Sequence, residues 1–159
     1  YPPAKFVGRE AWDDAGEQVP GTKYGCLNGL SGKAVTILHY WLEMYLSYSS
    51  RKPSFCNHVP SSIRHSFLEQ FTSRLDNRNL MSKAHKDRCS LHLGLLLMHS
   101  TNMQTTRLAD LASDMGMDSK PLGQLLRQAG CSVKTKKVTL PVPVVFPSAL
   151  KRRRATNGR

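Results

Sequence analysis

Two consecutive segments near the C-terminal third repeat apolar residues at helical steps. In Thr106–Asp114, Leu108, Leu111, Ala112 and Met115 stand at i, i+3, i+4 and i+7, leaving Arg107, Asp110 and Asp114 to face water. Gly116 ends this predicted helix, Asp118 and Ser119 offer oxygens to cap the next, and Pro121 fits its first turn. Over Ser119–Ala129, Leu122, Leu125, Leu126 and Ala129 form the buried stripe and Lys120, Gln124, Arg127 and Gln128 the exposed one, with Gly130 closing the helix. The period then changes. Cys131–Lys134 and Val138–Val145 are β-rich runs separated by Thr135, Lys136 and Lys137, a length suited to a hairpin with a basic tip.

Helix, tight turn, helix and two-stranded ribbon is the order of a winged helix, in which the second helix is the usual reader of a nucleic-acid groove. The helix expected before it, Ser82–Ser100, is apolar nearly all round from Cys89 to Met98, as suits burial on most sides. Met103–Thr105 then supplies a short strand to pair with the ribbon. Upstream, Lys33–Tyr48 carries Ala34, Ile37, Leu38, Trp41, Leu42, Tyr45 and Tyr48 at three- and four-residue steps and predicts a core helix. Ser49–Val59 is expected as a loop with a short strand near Phe55. Pro60, Ser61 and Ser62 open a helix to about Arg74, with Ile63, Phe67, Leu68, Phe71 and Leu75 inward and Asp76–Asn79 breaking it. Tyr1 to Gly32 is rich in Pro and Gly with an acidic cluster at Glu10, Asp13, Asp14 and Glu17, and is expected to be a linker or extended arm. Pro141 and Pro143 make the last apolar run an edge strand or an extended segment over the core.

The division that follows is 1–32 linker, 33–81 first winged-helix-like unit, 82–147 second winged helix and 148–159 basic disordered tail. The fold class is mainly α with small β-hairpins, a tandem winged helix. A weak likeness between Leu38-His39-Tyr40-Trp41-Leu42 and Leu91-His92-Leu93-Gly94-Leu95 agrees with a tandem arrangement.

Composition changes the picture through charge. The 159 residues are 40% hydrophobic, enough for one or two small cores, and carry a net charge of +12. A pI near 9.9 points to a polyanionic partner, because lysines and arginines near phosphates release condensed counterions. After position 118 the chain holds Lys120, Arg127, Lys134, Lys136, Lys137, Lys151, Arg152, Arg153, Arg154 and Arg159, with no Asp or Glu. The run Lys151–Arg154 suits a solvated or nuclear-targeting tail as well as direct nucleic-acid contact. No apolar run approaches the ~20 residues that span a bilayer, so no membrane partner is expected, and Tyr1-Pro2-Pro3 does not begin a secretory signal. The start without Met leads us to expect a further N-terminal portion in the natural protein. Cys26, Cys56, Cys89 and Cys131 lack any C-x-x-C pair, which favours reduced structural thiols in a soluble, intracellular protein.

Catalytic chemistry finds little support. Gly29-Leu30-Ser31-Gly32-Lys33 departs from the phosphate-loop pattern at Leu27 and Ala34 and suits a helix entry better. His85, Cys89 and His92 share a helical face without a fourth ligand, so no metal or other cofactor is expected. Paired carboxylates, G-x-S-x-G and a Cys-His nucleophile signature are all missing. Trp41, Tyr45 and Tyr48 offer a stacking platform for bases, but their helical spacing favours core packing. The chain is expected not to be an enzyme.

Several ordered runs resemble one family. They are Asn57-His58-Val59-Pro60-Ser61-Ser62-Ile63, Leu95-Leu96-Leu97-Met98, Arg107-Leu108-Ala109-Asp110-Leu111-Ala112-Ser113-Asp114-Met115-Gly116-Met117, Leu126-Arg127-Gln128-Ala129-Gly130-Cys131-Ser132-Val133 and Leu140-Pro141-Val142-Pro143-Val144-Val145-Phe146-Pro147. Together they are similar to the C-terminal half of the RNA polymerase I-specific polymerase-associated factor family, whose tandem winged helix is similar to that of TFIIE. The likeness covers most of the chain and is strongest from Asn57 to Pro147. It implies a non-catalytic polymerase subunit in the nucleus and nucleolus that binds DNA near the cleft and supports initiation and elongation on ribosomal RNA genes. It also implies RNA polymerase I core subunits as partners, and a heterodimer partner held by a domain upstream of this chain.

The residues expected to contact double-stranded DNA, with little sequence preference, are Lys120, Gln124, Arg127, Gln128, Lys134, Lys136, Lys137, Lys151, Arg152, Arg153 and Arg154. The rival expectation is a protein-docking winged helix whose basic residues meet an acidic face of a polymerase or transcription factor without touching DNA.

Overall fold

The longest predicted helices set the frame of the molecule. In the computed structural model, which describes residues 2–17, 21, 23–50 and 56–141, α1 (Pro3–Val7) and α2 (Arg9–Asp14) precede a 3₁₀ turn at Gly25–Leu27 and the helix α3 (Lys33–Ser49). Then come α4 (Ser61–Phe71), the strands β1 (Ser73–Leu75) and β2 (Arg78–Leu80), and α5 (Lys83–Ser100). The chain continues through β3 (Gln104–Thr105), α6 (Leu108–Asp114), α7 (Ser119–Gln128), β4 (Ser132–Val133) and β5 (Val138–Thr139). The fold is mainly helical with small antiparallel strand pairs.

Helix α5 is the common wall. Leu93 and the run from Leu95 to Met98 are buried, and the helix packs against α3 and α4 on one side and α7 on another. A single hydrophobic cluster therefore runs from Val7 to Leu140, and the two expected units share α5. Ser82 caps it: its hydroxyl accepts from the His85 backbone N–H at 3.2 Å, and the His85 ring returns a bond to the Ser82 N–H at 3.3 Å. Histidine here takes the place usually held by Glu in a capping box.

Helices α1 and α2 and the 3₁₀ turn correct the expectation of an extended arm for the described residues before α3. Pro3 starts α1, where a missing N–H is harmless, and Gly8 at φ 99° makes the joint to α2. Val7, Ala11, Ala15, Tyr24, Cys26 and Leu27 are buried. Ser66 and Gln70 of α4 both donate to the Val7 carbonyl. Sparse apolar anchors suffice because the surface they cover, from α3 to α6, is built by helices with longer apolar stripes.

Helix α4 ends at Phe71, short of the expected Arg74. The Thr72 hydroxyl turns back to the Leu68 carbonyl at 2.6 Å while its backbone becomes extended. Strands β1 and β2 then pair as Ser73↔Leu80, Arg74↔Asn79 and Leu75↔Arg78. Asp76 and Asn77, both at positive φ, make the two-residue turn, so the expected helix break is a hairpin. Leu75 points outward and is 60% exposed, contrary to the helical reading. Pro60 holds the N-cap position of α4 and Asp118 that of α7, and neither makes a side-chain capping bond. The expected strand near Phe55, the extended segment after Pro141 and the basic tail lie outside the described residues.

Trp41 is fully buried, with Phe71 at 5.1 Å and Phe67 at 6.2 Å between ring centroids, and Tyr45 is buried too, so these two aromatics of α3 are core while Tyr48 is half-buried at its edge. Gly94 lies where α5 meets α7. A Cβ built there falls 2.8 Å from a methyl of Leu126, itself fully buried. Gly94→Val should cost about 2–3 kcal/mol by overpacking, read as a lower urea midpoint at unchanged m-value.

Burial lowers the affinity of His39 and His92 for protons, each being lined by aromatic rings. The unfolded chain therefore binds more protons than the folded one below pH 6.5, and the stability these residues contribute is lost as pH falls from there. The melting temperature should drop between pH 7 and pH 5, and by less in His92→Gln than in the parent chain.

Candidate nucleic-acid interface

The site is built where α7, the start of α6 and the β4–β5 hairpin converge. Strand β5 is the centre of a three-stranded sheet ordered β3-β5-β4, with Thr105↔Val138 on one side and Val133↔Val138 on the other. Lys134 and Lys137 exchange backbone bonds, donor to carbonyl, at 2.9 and 3.4 Å, which places Thr135 and Lys136 at the tip. The expected ribbon, its basic tip and its pairing with the strand before α6 are all present.

A groove of about 800 Å³ lies between the helices and the hairpin. Lys120, Arg127, Lys134, Lys136 and Lys137 line it, every one of them exposed, and among the described residues no carboxylate does. Five cations around an acid-free concavity sum to a positive field that attracts polyanions. Thr106, Ser119 and Thr135 add hydroxyl groups that sequence reasoning missed, since isolated hydroxyls carry no periodic signal. Arg127 serves the scaffold too: its Nη2 donates to the Val133 carbonyl at 3.1 Å and fastens α7 to β4.

Of the other expected residues, Gln124 is exposed on α7, outside the lining of this groove. Gln128 lies beside Phe6, Leu91, His92 and Leu95 along a separate groove, because one further helical step turns it toward α5. Lys151, Arg152, Arg153 and Arg154 lie outside the described residues.

Helix α6, at the edge of this site, is clamped from behind. Arg107 donates to the carbonyls of Cys26, at 3.2 Å, and Asn28, while the Asp114 carboxylate accepts from the N–H groups of Cys26 at 3.0 Å and Gly25 at 3.4 Å. Two residues expected to face water thus hold the 3₁₀ turn at opposite ends of α6. Heptad-like counting cannot anticipate a segment that returns from some eighty residues away. Asp110 stays exposed, as expected.

The residues weighed as metal ligands have other tasks. His85 caps α5, Cys89 is fully buried, and His92 Nδ1 donates to the Arg88 carbonyl at 2.7 Å. All four cysteines are buried, and none is in a disulfide among the described residues. Burial pushes the Cys89 and Cys131 thiols up, Cys131 to about 11, and burial with the Asp114 carboxylate does the same for Cys26. These are thiols, not ready nucleophiles.

The family model of A49-like RNA polymerase I associated factors matches residues 32–155. No curated protein sequence gives a significant match. With its helical frame and cationic groove, the chain falls in the class of nuclear proteins that serve RNA polymerase I transcription. It belongs to the A49-like RNA polymerase I associated factor family. No helix among the described residues is long and apolar enough to cross a membrane.

Proposed function

We propose that this chain is the non-catalytic, tandem winged-helix, DNA-binding part of an RNA polymerase I subunit, acting in the nucleolus to support initiation and elongation on ribosomal RNA genes. The acid-free groove between α7 and the β4–β5 hairpin carries the proposal. The element order α5, β3, α6, α7, β4, β5 supports this reading, since a winged helix needs helix, strand, helix, helix and ribbon in that order. Helices α3 and α4 and the β1–β2 hairpin would supply a shorter first unit. Duplex DNA would be held through phosphates by Lys120, Lys134, Lys136 and Lys137, with Arg127 and Gln124 beside them and Lys151, Arg152, Arg153 and Arg154 following. Contacts of this kind fix register on the duplex but carry little sequence information. RNA polymerase I core subunits are its assembly partners, and a heterodimer partner is engaged by a domain outside this chain.

Fluorescence anisotropy with a random-sequence duplex at several salt concentrations tests the proposal, with single-stranded DNA and an RNA duplex as competitors. Micromolar or tighter binding that weakens steeply with salt is expected. Failure to bind at low salt would make the groove a docking surface for an acidic protein face instead.

A further inference from the structure

The β1–β2 hairpin borders a second groove, of about 1040 Å³, whose other wall is α3 and the start of α4. Its character differs from that of the groove at α7. Leu75 and Leu80 are the large apolar side chains left exposed among the described residues, at 60% and 48%. The register explains their alignment: Ser73 opposes Leu80 and Leu75 opposes Arg78, so both leucines and Arg78 stand on one face of the hairpin, while Arg74, opposite Asn79, is on the other face and borders the groove at its rim. Met44, Tyr48 and Met81 continue the apolar lining. Arg64, Arg74 and Arg78 surround it, and among the described residues no Asp or Glu lines it.

An exposed apolar patch rimmed by charge of one sign fits a protein better than a nucleic acid, since phosphates would satisfy the guanidiniums and leave the leucines in water. Arginine is also the cation best suited to a desolvated carboxylate, which it grips with two parallel N–H bonds. Strands β1 and β2 form a sheet of two strands, so each keeps one ladder edge unpaired among the described residues. A two-stranded hairpin is marginal in water and gains from a covering partner.

We infer that the groove between the β1–β2 hairpin and helices α3 and α4 is a docking site for an acidic amphipathic segment of a protein partner, with bulky apolar residues flanked by Glu or Asp. Its apolar side chains cover Leu75, Leu80 and Met81, and its carboxylates meet Arg64, Arg74 and Arg78. Membership in a family associated with RNA polymerase I gives the chain protein neighbours in which such a segment can reside.

The test uses the whole chain and a short fluorescein-labelled peptide with Leu and Phe set between runs of Glu, beside its Lys-for-Glu counterpart. Saturable binding of the Glu peptide alone is expected, weakened about tenfold or more by Leu75→Ser/Leu80→Ser and equally by Arg74→Glu/Arg78→Glu, circular dichroism and melting being unchanged. Absence of saturable binding, or binding that survives the leucine substitutions, overturns the inference. So does a loss of duplex DNA affinity in Arg74→Glu/Arg78→Glu as large as the loss of peptide affinity, which would make this face a second phosphate-contacting surface.

Discussion

Replacing Lys136 and Lys137 together by Ala should weaken binding to any duplex roughly tenfold near physiological salt, whatever its sequence. Both side chains are exposed, Lys136 at the hairpin tip and Lys137 next to it, on the same groove as Lys120 and Lys134. Each phosphate that a lysine no longer neutralises takes about one unit off the slope of log affinity against log salt, so the slope should flatten by about two. Their exposure also keeps the fold intact, and melting should move by no more than about 0.5 kcal/mol equivalent. An unchanged affinity and slope would remove the hairpin from the DNA-binding surface. Weakening confined to one sequence would instead mean base reading, which lysines at a hairpin tip are poorly placed to supply.

Trp41→Ala should destabilise the chain by about 3–5 kcal/mol, the range for emptying a large aromatic site in a close-packed core. That is a large share of the ~5–15 kcal/mol available to a domain, so the variant is expected to be partly unfolded at 37 °C. The indole joins α3 to Phe67 and Phe71 of α4, and these rigid rings cannot collapse into the cavity. Its Nε1 is buried and finds no acceptor among the described residues. Trp41→Phe removes that unpaired donor together with some volume, and should cost no more than about 2 kcal/mol. Urea unfolding followed by circular dichroism distinguishes the two; equal losses would show that the indole N–H is satisfied and contributes to stability.

Where helical period is strong, sequence and structure agree within a few residues: α3, α5, α6 and α7 all lie where their apolar steps place them. The hairpin at Lys134–Lys137 was equally legible, because two β-rich runs around a short polar gap admit few alternatives. The candidate groove followed from these two features, since helix phase and hairpin alternation put five cations on facing surfaces. Misreadings cluster where short segments depend on distant ones. Leu75 looked like the end of an inward stripe until Thr72 closed α4 and alternation replaced helical period.

The sequence by itself determined the helices with long apolar stripes, the basic hairpin and the one-signed charge after position 118, because each is a local pattern of period or composition. Tertiary structure alone decided that α1 and α2 pack onto α4 and α5 and the 3₁₀ turn onto α6, that Arg107 and Asp114 clamp that turn, and that Gln128 leaves the groove. It also left Leu75 and Leu80 in solvent beside three arginines. These outcomes depend on which surfaces meet, and a contact between residues eighty positions apart leaves no period for a sequence to display.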